Sequence, residues 1–80
     1  MNLKIGDIVW RLYDIDNGKK KRAWLGKITN YYKTGNYQVT RIDDHKFSHE
    51  MVHKGDTIAT KPNNLELTAQ YMFKRKYLDD

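Results

Sequence analysis

The chain contains no cysteine, so neither a disulfide nor a thiolate metal site can brace it. That absence fits a reducing compartment. It also lacks any run of about 18 apolar residues, which argues against a membrane-spanning helix. The first residues do not form the basic-then-apolar pattern of a secretory signal, because Gly6-Asp7 interrupts it early, and a cytoplasmic location is expected. No serine or cysteine nucleophile arrangement, glycine-rich phosphate loop or carboxylate pair can be picked out. Neither enzymatic activity nor a cofactor is expected.

What the chain does have is positive charge. Its 80 residues make one domain, and a domain this small buries only about 60% of its unfolded surface, so its core is thin. Fifteen Lys and Arg against ten Asp and Glu give a net charge of +5. The distribution is uneven. Residues 1–42 hold nine bases and three acids, whereas residues 43–80 hold six bases and seven acids. The excess therefore belongs to the part that reads as sheet, and a basic domain of this size attracts polyanions, most often nucleic acid.

The stretch Ala23–Ile42 organises the rest. Trp24, Gly26 and Ile28 alternate with Lys27 and Thr29, and Tyr37 and Val39 alternate with Gln38 and Thr40. Period-two runs on either side of Lys33-Thr34-Gly35-Asn36 predict a β-hairpin, with Gly35 or Asn36 taking the positive φ of the turn. Leu3 to Tyr13 reads as an earlier strand with a bend at Gly6-Asp7, and Asp14 to Lys21 as a loop centred on Asn17-Gly18. Asp43 to Asp56 breaks the β pattern and reads as a short helix or helical loop. Thr57 to Lys61 and Leu65 to Thr68 are two further strands around a Pro62-Asn63-Asn64 turn. From Ala69 to Leu78 the residues Tyr71, Met72, Phe73, Tyr77 and Leu78 recur at helical spacing, with Thr68 as cap. Five short strands in under 70 residues predict a mainly β fold, a small five-stranded barrel at about residues 3–68 with a short helical insertion and a C-terminal helix.

Several of these residues resemble a known superfamily. Gly6-Asp7-Ile8-Val9-Trp10 is similar to the opening of Tudor and PWWP domains, and Trp24-Leu25-Gly26-Lys27-Ile28 to their second strand. Tyr37-Gln38-Val39 leading to Ile42-Asp43 resembles their third strand, and Asn64-Leu65-Glu66-Leu67 the turn into the last. The C-terminal domains of retroviral and transposon integrases share the pattern Gly-Asp-x-Val, Trp-x-Gly and Gly-x-Tyr-x-Val, here Gly6 to Val9, Trp24 to Gly26 and Gly35 to Val39. The resemblance covers roughly residues 3–68 and implies an SH3-like barrel. It departs from the pattern at Asp43–Asp56 and at the appended C-terminal segment. It implies fold more than function: Tudor-like domains bind methylated side chains, whereas integrase and PWWP relatives contact DNA.

Three groups of residues carry candidate chemistry. The basic run Lys19, Lys20, Lys21 and Arg22, with Lys27, Lys33 and Arg41 on the same sheet, suits phosphate contacts of low sequence specificity, to DNA or RNA. Trp10, Tyr13, Tyr31, Tyr32 and Tyr37 crowd into three strands. Neighbours in a strand face opposite sides, so one ring of Tyr31-Tyr32 points outward, and Tyr32 or Trp10 could stack on a base. The third group, His49-Glu50-Met51-Val52-His53, matches the HExxH zinc pattern, with His45 a turn before it. A barrel of this size leaves no room for a protease helix and cleft, and three histidines at i, i+4 and i+8 do not converge on one ion. Solvent-facing histidines and no metal are therefore expected. The reading that follows is a small basic nucleic-acid-binding module, suited to a phage or mobile-element accessory protein. The alternative is a protein-binding adaptor or inhibitor that docks on a host protein, by Tudor-like peptide binding or on an acidic surface.

Overall fold

A computed structural model describes residues 3–44 and 51–69. Five strands, β1 (Ile8–Asp14), β2 (Lys20–Tyr31), β3 (Tyr37–Arg41), β4 (Thr57–Thr60) and β5 (Leu65–Leu67), form one antiparallel sheet in the order β4-β3-β2-β1-β5. The longest, β2, pairs with β1 through its first half and with β3 through its second. A register shift marks each half, one beside Arg11 and Leu12 and one between Ile28 and Asn30, leaving Ala23 and Thr29 without a register partner. Extra residues of this kind bend and twist a strand.

The expected β2–β3 hairpin is present, and Gly35 rather than Asn36 takes the left-handed conformation, at φ 94°. Tyr32 N donates to Asn36 O and Gly35 N to Tyr32 O, closing a tight loop that suits a residue of positive φ at its third position. The Asn17-Gly18 signal also marks a turn, but a shorter one than the sequence suggests. Asp16–Gly18 form a single 3₁₀ turn, Ile15 N bonds to Lys19 O, and the strands zip up to its edge with Asp14 opposite Lys20. Lys20, Lys21 and Arg22 therefore lie in β2 and not in a projecting loop. The first strand starts at Ile8, since Lys4 to Asp7 are folded into a turn in which Asp7 N bonds Lys4 O and Lys4 N bonds the Asp7 carboxylate.

The described residues contain no α-helix. Residues 51–56 form an irregular stretch with a turn at Lys54–Gly55, so the helical reading of Asp43–Asp56 fails there. His53 N is taken up by the Asp56 carboxylate and Asp56 N by His53 O, a local pairing that competes with helical bonding. Residues 45–50 and the C-terminal helix expected from Ala69 onward lie outside the described residues, apart from Ala69 itself.

One face of the sheet carries the core, in which Val9, Trp24, Ile28, Val39 and Leu65 pack with Leu3, Ala23 and Val52. Trp24, Gly26, Ile28 and Val39 thus point inward as their spacing predicts. Edge strands contribute to this one cluster, Leu65 from β5 and Ile58 of β4 packed against it. The chain joins these edges with Lys61 and the 3₁₀ turn Pro62–Asn64 alone. Edges of a flat five-stranded sheet stand about 19 Å apart, and five fully extended links reach only about 17 Å, so the sheet must curl.

Gly26 sits where β2 pairs with β1 and β3 at once, opposite Val9 and Arg41. A Cβ there would lie 2.4 Å from Val39 Cγ1, 2.9 Å from the Trp24 ring and 3.2 Å from Thr40 O. Gly26→Ala is expected to destabilise the fold by about 1–3 kcal/mol through overpacking, read as a lower urea midpoint with an unchanged slope. Wild-type stability in that variant would show that the strands are not so close.

Candidate nucleic-acid interface

Register partners share a face, so the face turned away from the core can be read from the pairings. Across β2, β3 and β4 it carries Lys27, Asn30, Gln38, Thr40, Thr57 and Ala59, and the hydrogen bonds of Thr29 put its hydroxyl there too. Lys27 lies opposite Thr40 on one side and Ile8 on the other. Thr40 Oγ1 is 2.7 Å from Thr57 Oγ1 and 3.4 Å from Thr29 Oγ1, and Thr29 Oγ1 donates to Gln38 O. The result is a row of hydroxyls crossing three strands beside one lysine, with no acidic side chain in the paired positions. Sequence reasoning singled out Lys27 but missed the threonines. Their alternation with Ile28 and Val39 was the available signal.

At the start of β2 the same face is different. The Arg22 guanidinium lies 5.7 Å from the centre of the Trp10 ring, and its Nε donates to Glu66 Oε1 at 2.7 Å. Glu66 is also the register partner of Trp10. Lys20 Nζ donates to Asp14 Oδ1 and to Asn64 Oδ1, each at 2.8 Å. The hydrogen bond from Lys20, reinforced by its charge, holds the Asp14 carboxyl below its ordinary pKa. A depressed folded pKa means that this pairing stabilises the protein above the unfolded carboxylate pKa and is lost as pH falls through the folded one. Two of the predicted phosphate contacts are therefore already paired with acids. The sequence could not reveal the Arg22–Glu66 pair or the Lys20–Asn64 contact, because each joins residues 44 apart.

The far end of β2 carries Tyr31, Tyr32 and Lys33. Tyr31 is 54% exposed at the rim of the core face, its ring 4.9 Å from that of Tyr37, and Tyr32 is exposed as well. Both members of the tyrosine pair thus reach solvent. Lys19 and Lys33 flank opposite ends of a 12-residue strand, about 40 Å long at 3.3 Å per residue. Of the expected basic residues, Lys19 and Lys20 at one end of β2, Lys27 in the middle and Lys33 at the other form a strip, whereas Lys21, opposite Tyr13, belongs to the core side.

Arg41 does not belong to this strip. It is 4% exposed, its Nε donates to Asp43 Oδ1 at 2.7 Å, and its Nη1 donates to Val52 O. Its guanidinium carbon lies 5.8 Å from the Trp24 ring centre. The reason is period two: Arg41 shares the inward side with Val39, and its register partner is Gly26. The backbone around it is tied too, with Arg41 N bonded to Asp56 O and Gly55 N to Arg41 O. Arg41 therefore fastens the two ends of the 43–52 excursion together.

Of the HExxH stretch, His53 is exposed, and His45, His49 and Glu50 lie outside the described residues. Among the described residues no three His, Cys, Asp or Glu side chains gather as a metal site. No helix among them is long and apolar enough to cross a membrane. Comparison of the chain with family models, with curated proteins and with solved structures gives no match, so the interface is argued from its own geometry.

Removing one member of a buried ion pair leaves the other uncompensated, at a cost of about 3–5 kcal/mol. Asp43→Ala is expected to lower unfolding free energy by that amount, and Arg41→Met with Asp43→Leu to lower it less than Asp43→Ala alone. Equal losses in the two variants, measured by urea unfolding, would contradict the pairing.

Proposed function

We propose that this chain is an SH3-like, Tudor-like barrel that binds nucleic acid, DNA or RNA, along the outer face of β2 with little sequence preference. The strand order, the bent β2 and the short connection between the edge strands support the barrel. The observation that carries the binding reading is the acid-free half of the outer face, where Lys27 stands beside the hydroxyl row of Thr29, Thr40 and Thr57. Lysine ammonium groups and threonine hydroxyls are phosphate ligands that fix position without reading sequence. Lys33 and the exposed ring of Tyr32 extend the strip toward a base or sugar that could stack.

Lys19 supplies charge at the other end, and Lys20 and Arg22 join it by exchanging partners. Exposed ion pairs are weak, so a phosphate can replace Glu66 at Arg22 or Asp14 at Lys20 at little cost. Trp10, half-buried beneath Arg22, then sits next to the displaced charge. Arg41 is left out of the interface.

Binding to a labelled duplex and a labelled single strand, followed by fluorescence anisotropy, tests this reading. Affinity should fall steeply between about 50 and 200 mM salt. Lys27→Glu with Lys33→Glu should weaken it at least roughly tenfold with an unchanged melting temperature. Neutralising Lys27 alone should lower the salt slope by about one. No binding to either strand form at low salt would overturn the proposal, and a nuclease-resistant, saturable pull-down of a host protein would favour the adaptor alternative.

A further inference from the structure

The tip of the β2–β3 hairpin presents aromatic surface on both of its sides. Tyr31 pairs with Tyr37 across the strands, and the pair lies on the core side with Val39. Tyr32 comes next and still bonds to Asn36 through its N–H, so its side chain turns to the other side, that of Lys27 and Thr40. Rings that only closed the end of the core would be covered, yet Tyr31 is 54% and Tyr32 37% exposed. Tyr31 is also backed. Its ring centre lies 4.9 Å from that of half-buried Tyr37, with 52° between the planes, and the Tyr37 hydroxyl is 3.5 Å from Leu3 O. The backbone beneath the two rings is fixed, since Asn30 Oδ1 accepts from Tyr31 N at 2.8 Å and Tyr32 O accepts from Gly35 N.

The edge of β2 that carries these rings is open. Its bonding toward β1 ends at Ile28, which donates to Asp7 O and accepts from Gly6 N, and among the described residues no strand pairs with this edge further on. The charge around it has one sign: no acidic residue occurs from Asn17 to Ile42, and Lys33 follows Tyr32 directly.

We propose, resting on the reading that the outer face of β2 meets nucleic acid, that the polynucleotide is single-stranded and wraps the hairpin tip. One base stacks on Tyr32, the strand rounds the open edge of β2, and a nearby base stacks on Tyr31, with Lys33 beside the phosphates. The two rings face opposite sides, so no straight ligand lies on both. A duplex is stiff over about 150 base pairs and cannot turn around one strand. Its base faces are already stacked on one another, and exposing one requires unstacking. A single strand bends at every nucleotide and offers free base faces to aromatic rings. Every base has such a face, so the tip distinguishes strandedness and not sequence. The row of Lys27, Thr40 and Thr57 lies on the outer side of the same path and holds phosphates there.

Fluorescence anisotropy at low salt with the full chain and three labelled probes of one length tests this. The probes are a mixed-sequence single strand, the same sequence as a duplex, and a strand whose bases are replaced by abasic sites. The intact single strand should bind at least roughly fivefold more tightly than either of the others. Tyr31→Ala and Tyr32→Ala should each remove most of that advantage while leaving duplex and abasic binding unchanged, and Tyr31→Phe and Tyr32→Phe should keep it. Phosphate contacts alone favour the duplex, whose charge density is higher. A duplex bound as tightly as the single strand, or an abasic strand bound as tightly as the intact one, would overturn this proposal and leave the phosphate reading standing. A loss shared equally by all three probes in the alanine variants would mark the rings as structural and overturn it too. No binding of any probe would overturn both.

Discussion

Leu25, Gly26, Lys27 and Ile28 are the residues of β2 that are bonded on both edges at once, to the β1 side through Asp7, Ile8, Val9 and Trp10 and to the β3 side through Val39, Thr40, Arg41 and Ile42. Before them β2 belongs to β1, and after them to β3. The strand must bend between these two duties, and the crowding at Gly26, with Val39 and Trp24 inside contact distance of any added Cβ, is the local form of that requirement. From it follows the curl that brings Leu65 and Ile58 into one cluster with Trp24, and the short link from β4 to β5 that the curl permits.

The same crossing decides where charge goes. Period two sends Lys27 outward and Arg41 inward from adjoining positions on neighbouring strands. Inside, Arg41 must have a carboxylate, and Asp43 provides it two residues later. Outside, the lysine needs no partner and is bordered by hydroxyls. The acids that do meet basic side chains on the surface, Asp14 and Glu66, are gathered at the β1–β5 end. A protein with a modest net charge thereby acquires one strip of weakly held or unneutralised cations.

Much of this fold was legible because β strands announce themselves by alternation and turns by Asn-Gly and Gly. The inward set Trp24, Gly26, Ile28 and Val39 could be read from spacing, and the five strands from spacing together with β propensity and turn residues. Arg41 was misread because its charge outweighed its parity, although Tyr37, Val39 and Arg41 stand on one side by the same rule. Lys20 and Lys21 were placed in a loop because lysines after a turn look like loop, and only the pairing with Tyr13 and Asp14 puts them in a strand. Local propensity does not carry such non-local information. The burial of Ile8 and Leu25 on the outer face was equally beyond reach, since the first strand does not alternate cleanly. It does not alternate because residues on both of its faces, Ile8 and Val9, are buried.

The account stands on the outer face of β2 as the surface that meets a polyanion. Backbone amide shifts of the ¹⁵N-labelled protein, followed while a short mixed-sequence oligonucleotide is added at low salt, test that claim most directly. The account predicts progressive shifts at Lys19, Lys27, Tyr32, Lys33 and Thr40, with Arg41 and Val39 nearly still. Absence of shifts, or shifts confined to residues off this strip, would contradict it.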